Sequence, residues 1–237
     1  MHHIILHQSK NKRFKKDATH VFIPESRKLE TFIKERGDTS ENHATNGNQW
    51  DKDAIKADLF DSVLLRSTDS IDAVHFLCHG WKTGIQFGFK RRSGARILGG
   101  FIGSFRPKYV NLYACLTGKE SDNFALWTYE RLKECYGSSV FDDYPRLMCH
   151  TTRGHATGNP NVKTYFTDEN GKTQSCMVYT RTHKLFWIWW YLLRTTDLCF
   201  EFPFITKEQI SEIVTEASEQ TGIWQKMRKL RKKLLGF

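Results

Sequence analysis

No hydrophobic run in this sequence is long enough to cross a bilayer. The longest, Leu185 to Leu193, falls well short of the roughly 20 residues a spanning helix needs, so a buried helix is expected there. No secretory leader is expected from the first residues either. Met1 to Lys16 holds only the short apolar stretch Ile4-Ile5-Leu6, followed by basic residues, which is the wrong order for a signal peptide. The six cysteines include no Cys-x-x-Cys pair, which argues against a structural zinc site. They lie far apart, mostly inside apolar runs, so free thiols and a cytoplasmic setting are the expectation. The Gly-x-Ser-x-Gly elbow of serine hydrolases does not occur, and Gly99-Gly100-Phe101-Ile102-Gly103-Ser104 has the wrong spacing for it. Nor is there a G-x-x-x-x-G-K-[ST] phosphate loop, so NTP hydrolysis has no support. No internal repeat and no linker between two domains is legible.

What is present is globular. The 237 residues are 39% hydrophobic and 26% charged, enough to bury a sizeable core in one domain. The formal net charge is +10. That balance fits either contact with nucleic acid, acidic protein or anionic lipid, or a basic protein with no such partner.

Patterning predicts a strand over Thr19 to Ile23, then Pro24 opening a helix from about Ser26 to Arg36 that Gly37 ends. Asp38 to Gln49 reads as a loop, and a second helix is expected from about Lys52 to Arg66. Ile71 to Cys78 and Tyr109 to Ala114 read as buried strands, Arg146 to His150 as a third. Between the first two lies a glycine-rich stretch, Gly84 to Gly103, whose later part has helical character. Asp122 to Cys135 has helical spacing, Thr151 to Pro160 is a polar loop, and Phe166 to Val178 is a hairpin turning at Glu169-Asn170-Gly171. Strands alternating with helices predict an α/β fold with a mostly parallel sheet covered on both faces. Residues 1–180 form this core. Residues 181–237 are expected to form a helical extension: an aromatic helix from His183 to Arg194, a helix opened by the capping pattern Thr206-x-x-Gln209, and a basic amphipathic tail from Gly222.

Two of the strands end in reactive side chains. One reads Val74-His75-Phe76-Leu77-Cys78-His79-Gly80, the other Val110-Asn111-Leu112-Tyr113-Ala114-Cys115-Leu116-Thr117-Gly118. Catalytic groups in open α/β sheets collect at the carboxyl ends of strands. If these strands are neighbours, His79 and Cys115 project from one edge, and the interval between them holds the crossover that parallel neighbours require. An imidazole promotes the thiolate of a nearby cysteine. The oxyanion it generates needs fixed N–H donors, for which the backbone of Gly80 and Cys115 is placed. Gly80, lacking a Cβ, permits close approach of a substrate.

A hydrophobic strand ending in His-Gly, followed by one ending in Ala-Cys, resembles the caspase-like cysteine peptidases. Ala114-Cys115-Leu116-Thr117-Gly118 is most similar to the CHAT-type version. The resemblance covers roughly Asp72 to Pro160. It implies a caspase-like α/β/α sandwich, Cys115 as nucleophile, His79 as general base, and a protein or peptide substrate, with no metal and no organic cofactor.

The loop after the third strand, His150 to Pro160, falls on the same edge. His150, His155 and Asn159 are candidates for a wall of the substrate cleft, or the loop is held by its own polar side chains. The tail sets Lys226, Arg228, Lys229, Arg231, Lys232 and Lys233 against Ile223, Trp224, Met227, Leu230 and Leu234. Such a helix binds an anionic partner (nucleic acid, acidic protein or anionic lipid) or docks with its charges solvated. The expected function is therefore a cysteine endopeptidase. The alternative is a catalytically inactive protein of the same fold, binding through its tail and aromatic helix.

Overall fold

A computed structural model describes residues 1–8, 19–45, 53, 55–57, 70–137, 144–153 and 162–178. The aromatic helix, the capping-box helix, the basic tail, His155 and Asn159 lie outside the described residues.

The chain builds strand β1 (His2–Gln8), helix α1 (Thr19–Glu35), strands β2 (Thr39–Thr45) and β3 (Ala73–Leu77), and a small hairpin, β4 (Gly80–Trp81) with β5 (Gly84–Ile85). Helix α2 (Arg91–Gly103), strand β6 (Tyr109–Tyr113), helix α3 (Phe124–Tyr136) and strands β7 (Arg146–His150), β8 (Val162–Thr167) and β9 (Thr173–Val178) follow. The seven-stranded sheet has the order β2-β1-β3-β6-β7-β8-β9. Its first five strands are parallel, and β8 and β9 close it antiparallel. This is the mostly parallel α/β sheet that the alternation predicts.

Strand order dictates where the helices go. The chain moves one way from β1 to β2 and the other way from β3 to β6 to β7. Right-handed crossovers therefore put α1 on one face and α2 and α3 on the other. The side chains agree. Ile5, Leu77, Tyr113, Met148 and Val162 pack with Phe22, Leu29 and Ile33 of α1. Ile4, Leu6, Val74, Phe76, Val110, Leu112 and Leu147 pack with Ala95, Leu98 and Ile102 of α2 and with Phe124, Tyr129 and Leu132 of α3.

The N-terminal third departs from the sequence reading. Thr19 to Ile23 is not a strand but the opening of α1. Pro24 stands inside that helix rather than before it, where its ring nitrogen withholds one backbone bond near the N-terminus. The helix survives because Phe22, Ser26, Leu29 and Ile33, at i, i+4, i+7 and i+11, are all buried. Gly37, at φ +82°, ends it as expected. The first strand is instead β1, whose histidines interrupt the apolar pattern although every one of its residues is buried. Asp38 to Gln49 is not all loop either, since Thr39–Thr45 is β2. A polar composition there suits an edge strand, which is half solvated. Of the expected helix over Lys52 to Arg66, the described residues 53 and 55–57 are helical, and Ile55 is buried.

Candidate functional site

Register determines how the ends of β3 and β6 stand to each other. β3 pairs with β6 in parallel from Ala73↔Tyr109 to Leu77↔Tyr113. His79 and Cys115 therefore stand at matching positions, each two residues beyond the last pair. Alternation along the strands puts them on one face. His75 and Leu77 precede His79 on the α1 face, Asn111 and Tyr113 precede Cys115 there, and the His79 ring meets Phe22 of α1. That contact is edge-on, with ring centroids 5.0 Å apart and planes at 77°.

Gly80 brings the two strand ends into contact. A Cβ at this position would lie 2.7 Å from the Ala114 Cβ and 2.9 Å from the Cys115 carbonyl oxygen. The backbone of the His-Gly step thus rests directly on the Ala-Cys step. The Gln86 N–H donates to the His79 carbonyl at 2.9 Å, making residues 79 and 86 a bonded pair of the hairpin. By the alternation of antiparallel pairing, the Gly80 N–H then faces away from β5.

The turn after Cys115 is held from below. The Thr117 hydroxyl donates to the Ala114 carbonyl at 2.9 Å. The Gly118 N–H donates to the His150 carbonyl at 2.9 Å, and the Leu116 N–H to the Thr152 carbonyl at 3.3 Å. Leu116, next to the thiol, has φ +61°. A branched residue in the left-handed region is strained, and such strain persists only where the surroundings enforce it. Gly118 is forced by space, since a Cβ there would fall 2.4 Å from the Cys149 sulfur.

Cysteine environments differ sharply. Cys78 and Cys149 are buried, and Cys115 is half-buried. Burial pushes the Cys149 thiol up to about 12 and raises that of Cys78 as well, so both stay protonated at neutral pH. His79, like Cys115, is half-buried.

His150 sits on the same edge and face, beside Tyr113, with ring centroids 5.9 Å apart. It does not wall an open cleft, for the residue is only 1% exposed. Among the described residues neither ring nitrogen has a hydrogen-bond partner, and burial pulls its pKa down to about 4, leaving a neutral ring. Deeper on this face a polar row crosses the sheet. The Asn111 amide donates to His75 Nδ1 at 3.2 Å, which leaves His75 Nε2–H to donate to His3 Nδ1 at 3.0 Å. His3 Nε2 in turn lies 3.6 Å from the Asp38 carboxylate. Burial keeps both rings neutral, with His3 at about 4.

Among the described residues, no group of three or more His, Cys, Asp or Glu is placed to hold a metal ion, and no helix is long and apolar enough to cross a membrane. Sequence reasoning missed Phe22, because its contact with His79 is made across the α1–sheet interface. The chain matches no protein-family model, no curated protein and no solved structure.

Proposed function

We propose that this chain is a cysteine endopeptidase of the caspase-like kind. The observation that carries the reading is the β3–β6 register, with His79 and Cys115 at matching positions past paired strand ends. Three further features support it. Both side chains are half-buried while two other cysteines are buried as protonated thiols. The backbone beside the thiol is strained at Leu116. The parallel part of the sheet reverses its strand order between β1 and β3, and open α/β sheets bind ligands outside such a switch point.

In this mechanism His79 takes the Cys115 proton and the thiolate attacks the carbonyl carbon of the scissile peptide. The N–H groups of Gly80 and Cys115 receive the developing oxyanion. The tetrahedral intermediate collapses with cleavage of the C–N bond, and His79 returns the proton to the leaving amine. Water, deprotonated by His79, then hydrolyses the thioester and restores the thiol.

Labelling with an electrophilic peptide probe, read by mass spectrometry, tests this. Cys115 is expected to react ahead of the other five cysteines, and His79→Ala to slow its labelling by about 10²-fold or more. Uniform labelling of the cysteines in a folded protein would refute the reading.

A further inference from the structure

The chain around the two strand ends is rich in positive charge. Between Asp72 and Glu120 the chain has no aspartate or glutamate, against eight lysines and arginines, and this stretch holds both His79 and Cys115. The fold brings several of these cations to the edge of the site. Arg91 donates its N–H to the Thr83 carbonyl, and Lys90 bridges Gly84, so both stand on the hairpin that follows His79-Gly80. Lys119 closes the turn after Cys115 through its N–H to the Leu116 carbonyl. Arg153 follows Thr152, whose carbonyl holds that same turn.

The two acids of the loop after Cys115 have partners of their own. Glu120 is paired with Lys82 at 2.6 Å, and Asp122 accepts from the Trp127 indole N–H at 2.5 Å. Arg91, Arg92, Lys119 and Arg153 are exposed and have no ion-pair partner among the described residues.

We infer that this rim binds an acidic polypeptide segment, its carboxylates on Arg91, Lys119 and Arg153 to either side of the thiol. The charge lies in several loops rather than in one pocket, so it selects for acidic residues along the segment and not for a single side chain. A polypeptide fits better than a nucleic acid because the groups between the cations act on acyl carbons, which a polypeptide presents at every residue. The inference rests on the peptidase reading for its reaction and for the choice of a polypeptide; the attraction of an acidic segment rests on the charge of the rim. Exposed charges of one sign raise the local concentration of an oppositely charged ligand, and salt screens the effect.

The test uses the full chain and three peptide probes with one electrophile, flanked by Glu, Gln or Lys. At low salt the Glu-flanked probe is expected to label Cys115 about tenfold faster than the Gln-flanked one, with the Lys-flanked probe slowest, and the gap should close at high salt. Arg91→Glu with Arg153→Glu should abolish the gap between the Glu- and Gln-flanked probes. Equal rates for all three probes would overturn the acidic-segment claim and leave the peptidase reading intact. A parallel binding measurement takes Cys115→Ala and a fluorescent Glu-rich peptide without an electrophile. Salt-sensitive binding lost on charge reversal supports the rim even if no probe labels Cys115, which would sink only the peptidase reading. No binding, or tighter binding of a single-stranded oligonucleotide, overturns the rim's assignment.

Discussion

At Gly80 the absence of one methyl group decides whether the two halves of the site can touch. The sequence argument assigned this glycine to close approach by a substrate. In the fold the close approach is internal, with Gly80 against Ala114 and the Cys115 carbonyl. Gly80→Ala forces an overlap with backbone that no rotamer relieves. It is expected to push the Cys115 turn outward, slow probe labelling of Cys115 by about 10²-fold, and cost about 1–3 kcal/mol of stability. Labelling rates and urea unfolding of the variant check both, and an unchanged rate would mean that the packing does not set the geometry of the site. His79, Cys115 and Gly80 were legible because each sits at the end of an apolar strand, where a polar or small residue stands out. Phe22 was not, since its role comes from a helix remote in sequence. The burial of His150 was also hidden, because the last residue of a strand reads the same whether its ring meets solvent or the protein interior.

Elements were legible where pattern and burial agree. β7 has the predicted bounds, β3 and β6 lie within one or two residues of theirs, and α3 follows its apolar spacing. β1 and β2 were not read, the first because histidines break its aliphatic run, the second because an edge strand need not be apolar. The glycines of α2 weaken a helix by intrinsic preference, yet α2 forms because they admit α3. A Cβ at Gly99 would lie 2.4 Å from the Thr128 carbonyl oxygen, and one at Gly103 2.6 Å from the Cys135 Cβ. Gly99→Ala is therefore expected to lower stability by about 1–3 kcal/mol despite its better helix propensity. A thermal unfolding midpoint equal to or above that of the wild type would show that the two helices separate at little cost.

Across the whole molecule, the α1 face of the sheet is unusual for carrying buried neutral histidines, among them His3, His75 and His150. His150 is the simplest case, because burial is the only cause of its shift. Its folded pKa of about 4 lies below the ordinary 6.5, so the unfolded chain binds the proton first. The stability this ring contributes is complete above pH 6.5 and is lost as pH falls toward 4, by about 3 kcal/mol for the single group. Urea midpoints should thus hold steady above pH 7 and drop between pH 6.5 and 4. His150→Phe should flatten part of that drop, and an identical pH slope in wild type and variant would contradict the assignment. Several things followed from the sequence alone: the α/β class, the two strands with reactive ends, and the excess of positive charge. These depend on local periodicity and composition, which need no partner. Tertiary structure decided the rest: that β3 and β6 are neighbours in this register, that α1 meets His79, and that Arg91 and Lys119 stand on the loops that follow these two strands. Each depends on which strand lies beside which, and strand order is set by crossovers and packing between segments far apart in the chain.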